Sequence, residues 1–344
     1  MHLSVARRGA SSTSASATVA PAQARVTTNI VGGLGNQLFL VSNLLATAHR
    51  NNIPAHLETT PLSSSAEAPR PTYWDSMFRD LHQHGVQLHR PGASSLQPLP
   101  VVTVPETRPV AKVELVARRP CVYNMCGFFQ SEVYFDDHAI IGSVVPAELW
   151  SAARAHLAAY YGGGGGGGGH TIALHLRRGD YTRFADVFEQ LDVTDYYDVA
   201  VQQLLGGLLL LLPAPASPST PARVRLLIFC EEERVGRTVV GYFAVKYRGA
   251  VEAMLVSAMT EADMVAASSS ASLLPSSPAM PREVLELLMM ALCNDVVMAN
   301  STFSWWGAYL NRTPLRRVVA PARWFVKDPY PASNHLYCRG WMLL

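Results

Sequence analysis

Three short runs, TIALHL (171–176), VRLLIFC (224–230) and DVVMA (295–299), are apolar and partly β-branched. Segments of this length and make-up read as strands of a parallel sheet covered by helices. Helical patterns lie between and around them, over 147–161, 194–205, 283–293 and 304–311. The first half repeats the scheme: a strand over 26–31, a glycine turn, a helix over 36–50, then strands over 53–58 and 121–125. Alternating βα units imply an α/β architecture of two Rossmann-like halves, with ligands bound in the cleft at the carboxyl ends of the strands.

Low-complexity stretches divide the chain. Eight glycines at 162–169 have no cheap single conformation and mark the boundary between an N-terminal unit (29–161) and a C-terminal unit (170–344). Insertions are expected near 206–222 and 268–281, and loops over the polar run 59–71 and the proline-rich run 98–109. Residues 1–28 form a leader rich in Ala, Ser and Thr, with Arg7, Arg8 and Arg25 and no carboxylate before Glu58. That composition fits a mitochondrial transit peptide or an unstructured tail. A mitochondrial location is the expectation, with Golgi or cytosol as alternatives.

The formal net charge of +2 argues against nucleic acid or a membrane surface as the main partner. No apolar run reaches the ~20 residues that span a bilayer. The five cysteines form no CxxC pair and read as buried free thiols, and no metal site is evident.

Three stretches carry chemistry. VGGLGNQLF (31–39) runs a strand through a tight turn into a helix start, where Gly33, Gly35 and Asn36 would stand close to a ligand. It misses the dinucleotide fingerprint, because Leu38 stands where the third glycine belongs. HLRRGDY (175–181) leaves a core strand, and alternation puts His175 and Arg177 on one face with Arg178 opposite. Guanidinium groups there suit phosphate oxygens, while Asp180 could orient an arginine or meet a ribose hydroxyl. The Arg178-Gly179-Asp180 triplet also spells an adhesion signal, but one that leaves a core strand lacks the exposed loop adhesion needs. ANSTFSWWGAYL (299–310) places Asn300, Ser301 and Thr302 at a helix start, a further anion or sugar-hydroxyl site. Asn300 and Asn311 both match N-glycosylation acceptors, and Trp305 and Trp306 read in part as core.

Four ordered segments, GGLGNQLF, GFFQSEVYF, HLRRGDY and ANSTFSWWGAYL, together resemble the α-1,2-fucosyltransferase family of inverting glycosyltransferases (family 11), from about Asn29 to Phe325. The resemblance implies a GT-B-like fold with GDP-fucose as donor, a β-galactoside glycan as acceptor and no metal requirement. It puts His175, Arg177, Arg178 and Asp180 in the donor motif, with Arg177 on the β-phosphate and His175, Arg177 and Asp180 as the catalytic group. Ser301, Thr302 and Phe303 would contact the diphosphate or nucleoside, and Asn300 would anchor the turn. Glu286 stands where relatives carry an aspartate. Cys230-Glu231-Glu232 replaces their Ser-Asp-Asp, which puts a guanine or ribose contact by Glu231 and Glu232 in doubt. The expected activity is galactoside 2-α-L-fucosyl transfer. The alternative is a non-catalytic sugar-nucleotide or glycan-binding protein that keeps the fold.

Overall fold

The computed structural model describes residues 23–64, 69–92, 98–107, 110–115, 119–135, 142, 144–162, 169–211, 224–256, 280–327 and 333–344. The leader (but for its last residues), most of the glycine run and most of both insertions lie outside them.

Two all-parallel sheets organise the chain. The first has the order β3-β2-β1-β5-β4, from β1 (Arg25–Thr28), β2 (Ala55–Glu58), β3 (Val86–His89), β4 (Val101–Pro105) and β5 (Val122–Cys126). The second has the order β11-β10-β9-β6-β7-β8, from β6 (His170–Leu176), β7 (Val224–Cys230), β8 (Val251–Leu255), β9 (Asp295–Val297), β10 (Arg317–Ala320) and β11 (Met342–Leu343). Counted from β6, this is the doubly wound order 3-2-1-4-5-6, whose direction reverses between β6 and β9. In the first sheet it reverses between β1 and β5. The expected pair of α/β halves, GT-B-like in plan, is what forms.

Helices cover both faces of the second sheet, and the burial of β6 and β7 shows why their runs are apolar throughout. Ile172, Leu174, Leu176, Leu226 and Ile228 join the cluster under α3 (Asp198–Leu211) and α4 (Glu233–Lys246). The alternate residues Ala173, Leu227 and Phe229 face the cluster under α5 (Arg282–Leu292) and α6 (Thr302–Tyr309). That second cluster continues into the first sheet through α1 (Leu34–Asn51), and α2 (Ala147–Tyr161) packs on α5. Aromatic rings bridge the halves: Phe39 of α1 lies 4.4 Å from Trp305 and 5.0 Å from Trp306, and Phe135 stacks on Trp306 at 5.6 Å. Both tryptophans are buried, as are Asn300 and Asn311. The glycan signals at those asparagines are therefore closed off in the folded chain.

Two expectations are corrected. The proline-rich run contains β4, an edge strand with Pro105 at its last position, where one missing N–H costs the ladder little. The helix expected over 194–205 starts as a π turn (Val193–Tyr197) and continues as α3 to Leu211. The unforeseen α4 buries Gly236, Val239 and Phe243 along one stripe. All five cysteines are free thiols; Cys121, Cys230 and Cys293 are buried and Cys126 is exposed. No described helix is long and apolar enough to cross a membrane.

Candidate active site

A cleft of about 820 Å³ lies where the carboxyl ends of both sheets converge. The first sheet contributes Gly32–Asn36 after β1, Glu106 after β4, and Phe128 and Gln130 after β5. The second contributes His175 and Arg177 at the end of β6, Cys230 and Glu231 at the end of β7, and Ser301–Phe303 after β9. Both reversal points thus open on one cavity, the place where open α/β sheets bind ligands.

The glycine turn works through contact as well as conformation. Gly32 has φ 72°, the left-handed region that favours glycine. Gly35 touches the second half directly: a Cβ there would lie 2.5 Å from Thr302 C and 2.7 Å from Phe303 N. The first turns of α1 and α6 therefore meet at the cleft wall. N–H groups in a helix's first turn have no partner within the helix and carry partial positive charge. Gly33 caps α1 without a side-chain acceptor, whereas Ser301 caps α6 by accepting from Phe303 N at 3.3 Å. Asn36 is fixed by Gln130, whose Nε2 donates to Asn36 Oδ1 at 3.0 Å.

His175 and Arg177 share the face that opens on the cleft, as alternation predicts. His175 is buried against Phe303, with ring centroids 5.4 Å apart. Burial, reinforced by the Arg177 charge, holds its pKa down to about 3, so the ring is neutral at ordinary pH. Its Nδ1 is buried and makes no hydrogen bond to the described residues. The Arg177 guanidinium lies over the Tyr181 ring at 4.9 Å and 3.4 Å from the Glu231 carboxylate.

Glu231 and Glu232 brace this arginine turn. Glu231 accepts from Arg178 N at 2.9 Å and Glu232 accepts from Gly179 N at 3.0 Å, where Gly179 has φ 48°. Glu231 lines the cleft; Glu232 and Arg178 are not among its lining residues. Asp180 sits in the 3-10 turn Gly179–Thr182. Asn300 is buried behind the wall, donating to Glu189 O and Trp324 O at 2.9 Å each, an anchor for the turn. Glu286 lines the cleft and pairs with Arg282 at 2.7 Å. Among the described residues no group of three His, Cys, Asp or Glu side chains could hold a metal ion.

Sequence reasoning missed several lining residues: Arg70, Tyr73, Glu106, Phe184, Phe188 and Phe325. Tyr181 and Phe184 lie inside or beside the arginine motif, and Phe128 and Gln130 inside GFFQSEVYF, so motif neighbourhood was their signal. Glu106 had none, because it follows the strand hidden in the proline-rich run. Phe188 stacks on Tyr181 at 3.9 Å and reaches Phe325 through an isolated bridge, closing one side with aromatic surface.

Arginine and a helix start at the reversal point of a doubly wound sheet are features that suit anionic, nucleotide-like ligands. Residues 267–344 match the family model for glycosyl transferase family 11. The match takes in ANSTFSWWGAYL; the other three motifs lie upstream of it. The O-antigen biosynthesis glycosyltransferase WbnK of Escherichia coli is 44% identical over 41 residues, 12% of this chain and 14% of the length of that relative. Among solved structures, the α-1,6-fucosyltransferase NodZ soaked with GDP-fucose is similar at 12% identity and TM-score 0.46, over 84% of this chain and 92% of that one. POFUT1 in complex with GDP-fucose is similar at 11% identity and TM-score 0.47, over 87% and 98%.

Proposed function

We propose that the chain is an inverting galactoside 2-α-L-fucosyltransferase that uses GDP-fucose as donor. The observation that carries this reading is the convergence of Arg177, His175 and the first turn of α6 on one cleft at the β6/β9 reversal. As the fucose–phosphate bond breaks, positive charge builds on the sugar and negative charge on the departing diphosphate. Arg177, held by Glu231 and Tyr181, and the N–H groups at the start of α6 stabilise that negative charge where it develops. One well-placed donor of this kind contributes roughly 3 to 4 kcal/mol. His175, neutral and buried, offers a hydrogen bond to the donor and no charge. Arg178, Glu232 and Asn300 keep the two turns in place, and Asp180 belongs to the Gly179–Thr182 turn that follows the arginines.

The acceptor class, a β-galactoside glycan, is supported by the four-motif resemblance and by the aromatic wall, since sugar faces pack on rings. The test is incubation of the purified chain with GDP-fucose and lacto-N-biose, followed by linkage analysis of the product. GDP release with a 2-linked fucose is the expected result. Tight donor binding without turnover identifies a non-catalytic sugar-nucleotide binder, and a different linkage overturns the 2-α assignment alone.

A further inference from the structure

Transfer changes the charge of what the cleft must release. In GDP-fucose, the donor proposed above and the reading on which this inference rests, the β-phosphate is a diester with one negative charge. The fucose–phosphate bond breaks with its electron pair left on oxygen, so in GDP the same phosphate is a monoester. A monoester gains a second negative charge above a pH of about 6. Arg177 and the first turn of α6 favour added negative charge, and alone they would hold the product more tightly than the donor. A site built only that way fills with its own product.

We infer that Glu231 is a specificity-determining residue that keeps the cleft from preferring GDP to GDP-fucose. Its Oε1 lies 3.4 Å from Arg177 Nη1 and accepts from Arg178 N at 2.9 Å. Carboxylate and diphosphate thus share one guanidinium, and the hold on a peptide N–H stops the carboxylate from swinging aside when the donor enters. The room around it is tight: a Cβ at Gly179 would stand 3.0 Å from the same oxygen. The charge that GDP gains is therefore drawn by Arg177 and repelled by Glu231, and the two effects offset. Three further carboxylates line the same cleft but are engaged elsewhere. Glu106 is held by Phe128 N and Phe129 N, Glu283 lies by Tyr73, and Glu286 pairs with Arg282.

Among the described residues, the thiol, phenol and imidazole around this pair keep one charge state between pH 5.5 and 8. Burial pushes the Cys230 thiol up to about 11 and the Tyr197 hydroxyl above the ordinary phenol range, so both stay neutral. His175, held at about 3, is neutral as well. Arginine is a cation at any working pH. Across that window a change in the preference for GDP over GDP-fucose therefore reports on the β-phosphate. Arg177 and Glu231 are both partly exposed, so solvent and salt screen the repulsion. About tenfold in relative affinity is the size expected at low ionic strength.

The experiment is calorimetric titration of the full chain with GDP and with GDP-fucose, in low-salt buffer at pH 5.5 and pH 8. Wild type is compared with Glu231→Gln, which keeps an oxygen for Arg178 N and removes the charge, and with Glu231→Asp, which keeps the charge. At pH 8, Glu231→Gln should favour GDP over GDP-fucose about tenfold more than wild type does, and at pH 5.5 by about threefold or less. Glu231→Asp should stay within about threefold of the wild-type ratio at both pH values. A Gln variant with the wild-type ratio at pH 8 overturns the inference, and so does an Asp variant that behaves as Gln does. Should Glu231→Gln not fold, wild type carries the test: its preference should change by less than about threefold between the two pH values, and tenfold growth toward GDP at pH 8 overturns the inference. A wild-type chain that binds neither nucleotide sinks the donor reading, whereas one that binds both, with a ratio the Gln variant leaves unmoved, sinks the role of Glu231 alone.

Discussion

Gly35→Ala tests the close approach on which the cleft depends. The new methyl carbon would stand 2.5 Å from Thr302 C and 2.7 Å from both Thr302 O and Phe303 N. Carbon contacts are comfortable at about 3.5 to 4.0 Å, so the overlap approaches 1 Å. The obstructing atoms are the backbone of the first turn of α6, which cannot swing aside as a side chain would. That turn is continuous with Trp305, itself packed against Phe39 of α1. Overpacking of this sort costs about 1 to 3 kcal/mol, against which helix propensity returns up to about 1 kcal/mol for Gly→Ala. The net expectation is a loss of about 1 to 2 kcal/mol, or, in a chain of 344 residues, a fall in melting temperature of about 1 to 3 °C. The two helix starts should also part, raising the KM for GDP-fucose by about tenfold for every 1.4 kcal/mol by which donor binding weakens. Gly33→Ala is the control for packing, since a Cβ there meets nothing within 4 Å. Calorimetry on both variants and donor kinetics on Gly35→Ala decide the matter. A Gly35→Ala chain that melts no lower than wild type and binds donor as well would refute the reasoning.

Arg177→Ala should lower kcat by about 10²- to 10³-fold with the fold intact, and Arg177→Lys should recover only part of it, because a point charge lacks the planar fork. Acid should destabilise the chain before its carboxylates titrate. Burial holds His175 at about 3 and His56 at about 4, the latter with help from His89 and Arg25. Below the ordinary value of 6.5 the unfolded chain binds protons that the folded chain refuses, so stability falls with pH through that window. Urea midpoints at pH 7 and pH 5 check this, and equal midpoints would count against it. Fusion of residues 1–35 to a fluorescent reporter should direct it to mitochondria; diffuse cytosolic signal would rule out the targeting role of the leader.

The parts of the fold legible in the sequence were those under the strongest burial. β6 and β7 are covered on both faces, so their apolar runs had no second interpretation. β4 was hidden because an edge strand tolerates proline and exposed side chains: Val101 and Val102 stand open to solvent. α4 leaves a weak signal for a related reason, since it buries only the narrow stripe Gly236, Val239 and Phe243. At the cleft, motif residues announced themselves through residue type and spacing, as with His175, Arg177 and the Ser301 turn. Glu231 and Glu232 were visible as carboxylates, but their hold on the peptide N–H groups of Arg178 and Gly179 depends on neighbours more than fifty positions away. Glu106 is the extreme case. Its place beside Phe128 and Phe129 follows from the pairing of β4 with β5, which no local pattern encodes.

The ring cluster that joins Phe39 and Phe135 to Trp305 and Trp306 bears on how the two halves depend on each other. They share one apolar interior, so neither sheet can be peeled from the other without wetting both tryptophans. A chain severed between residues 162 and 169 is therefore expected to stay associated and to elute at the intact size. The halves expressed separately should be insoluble, yet complement each other when made together.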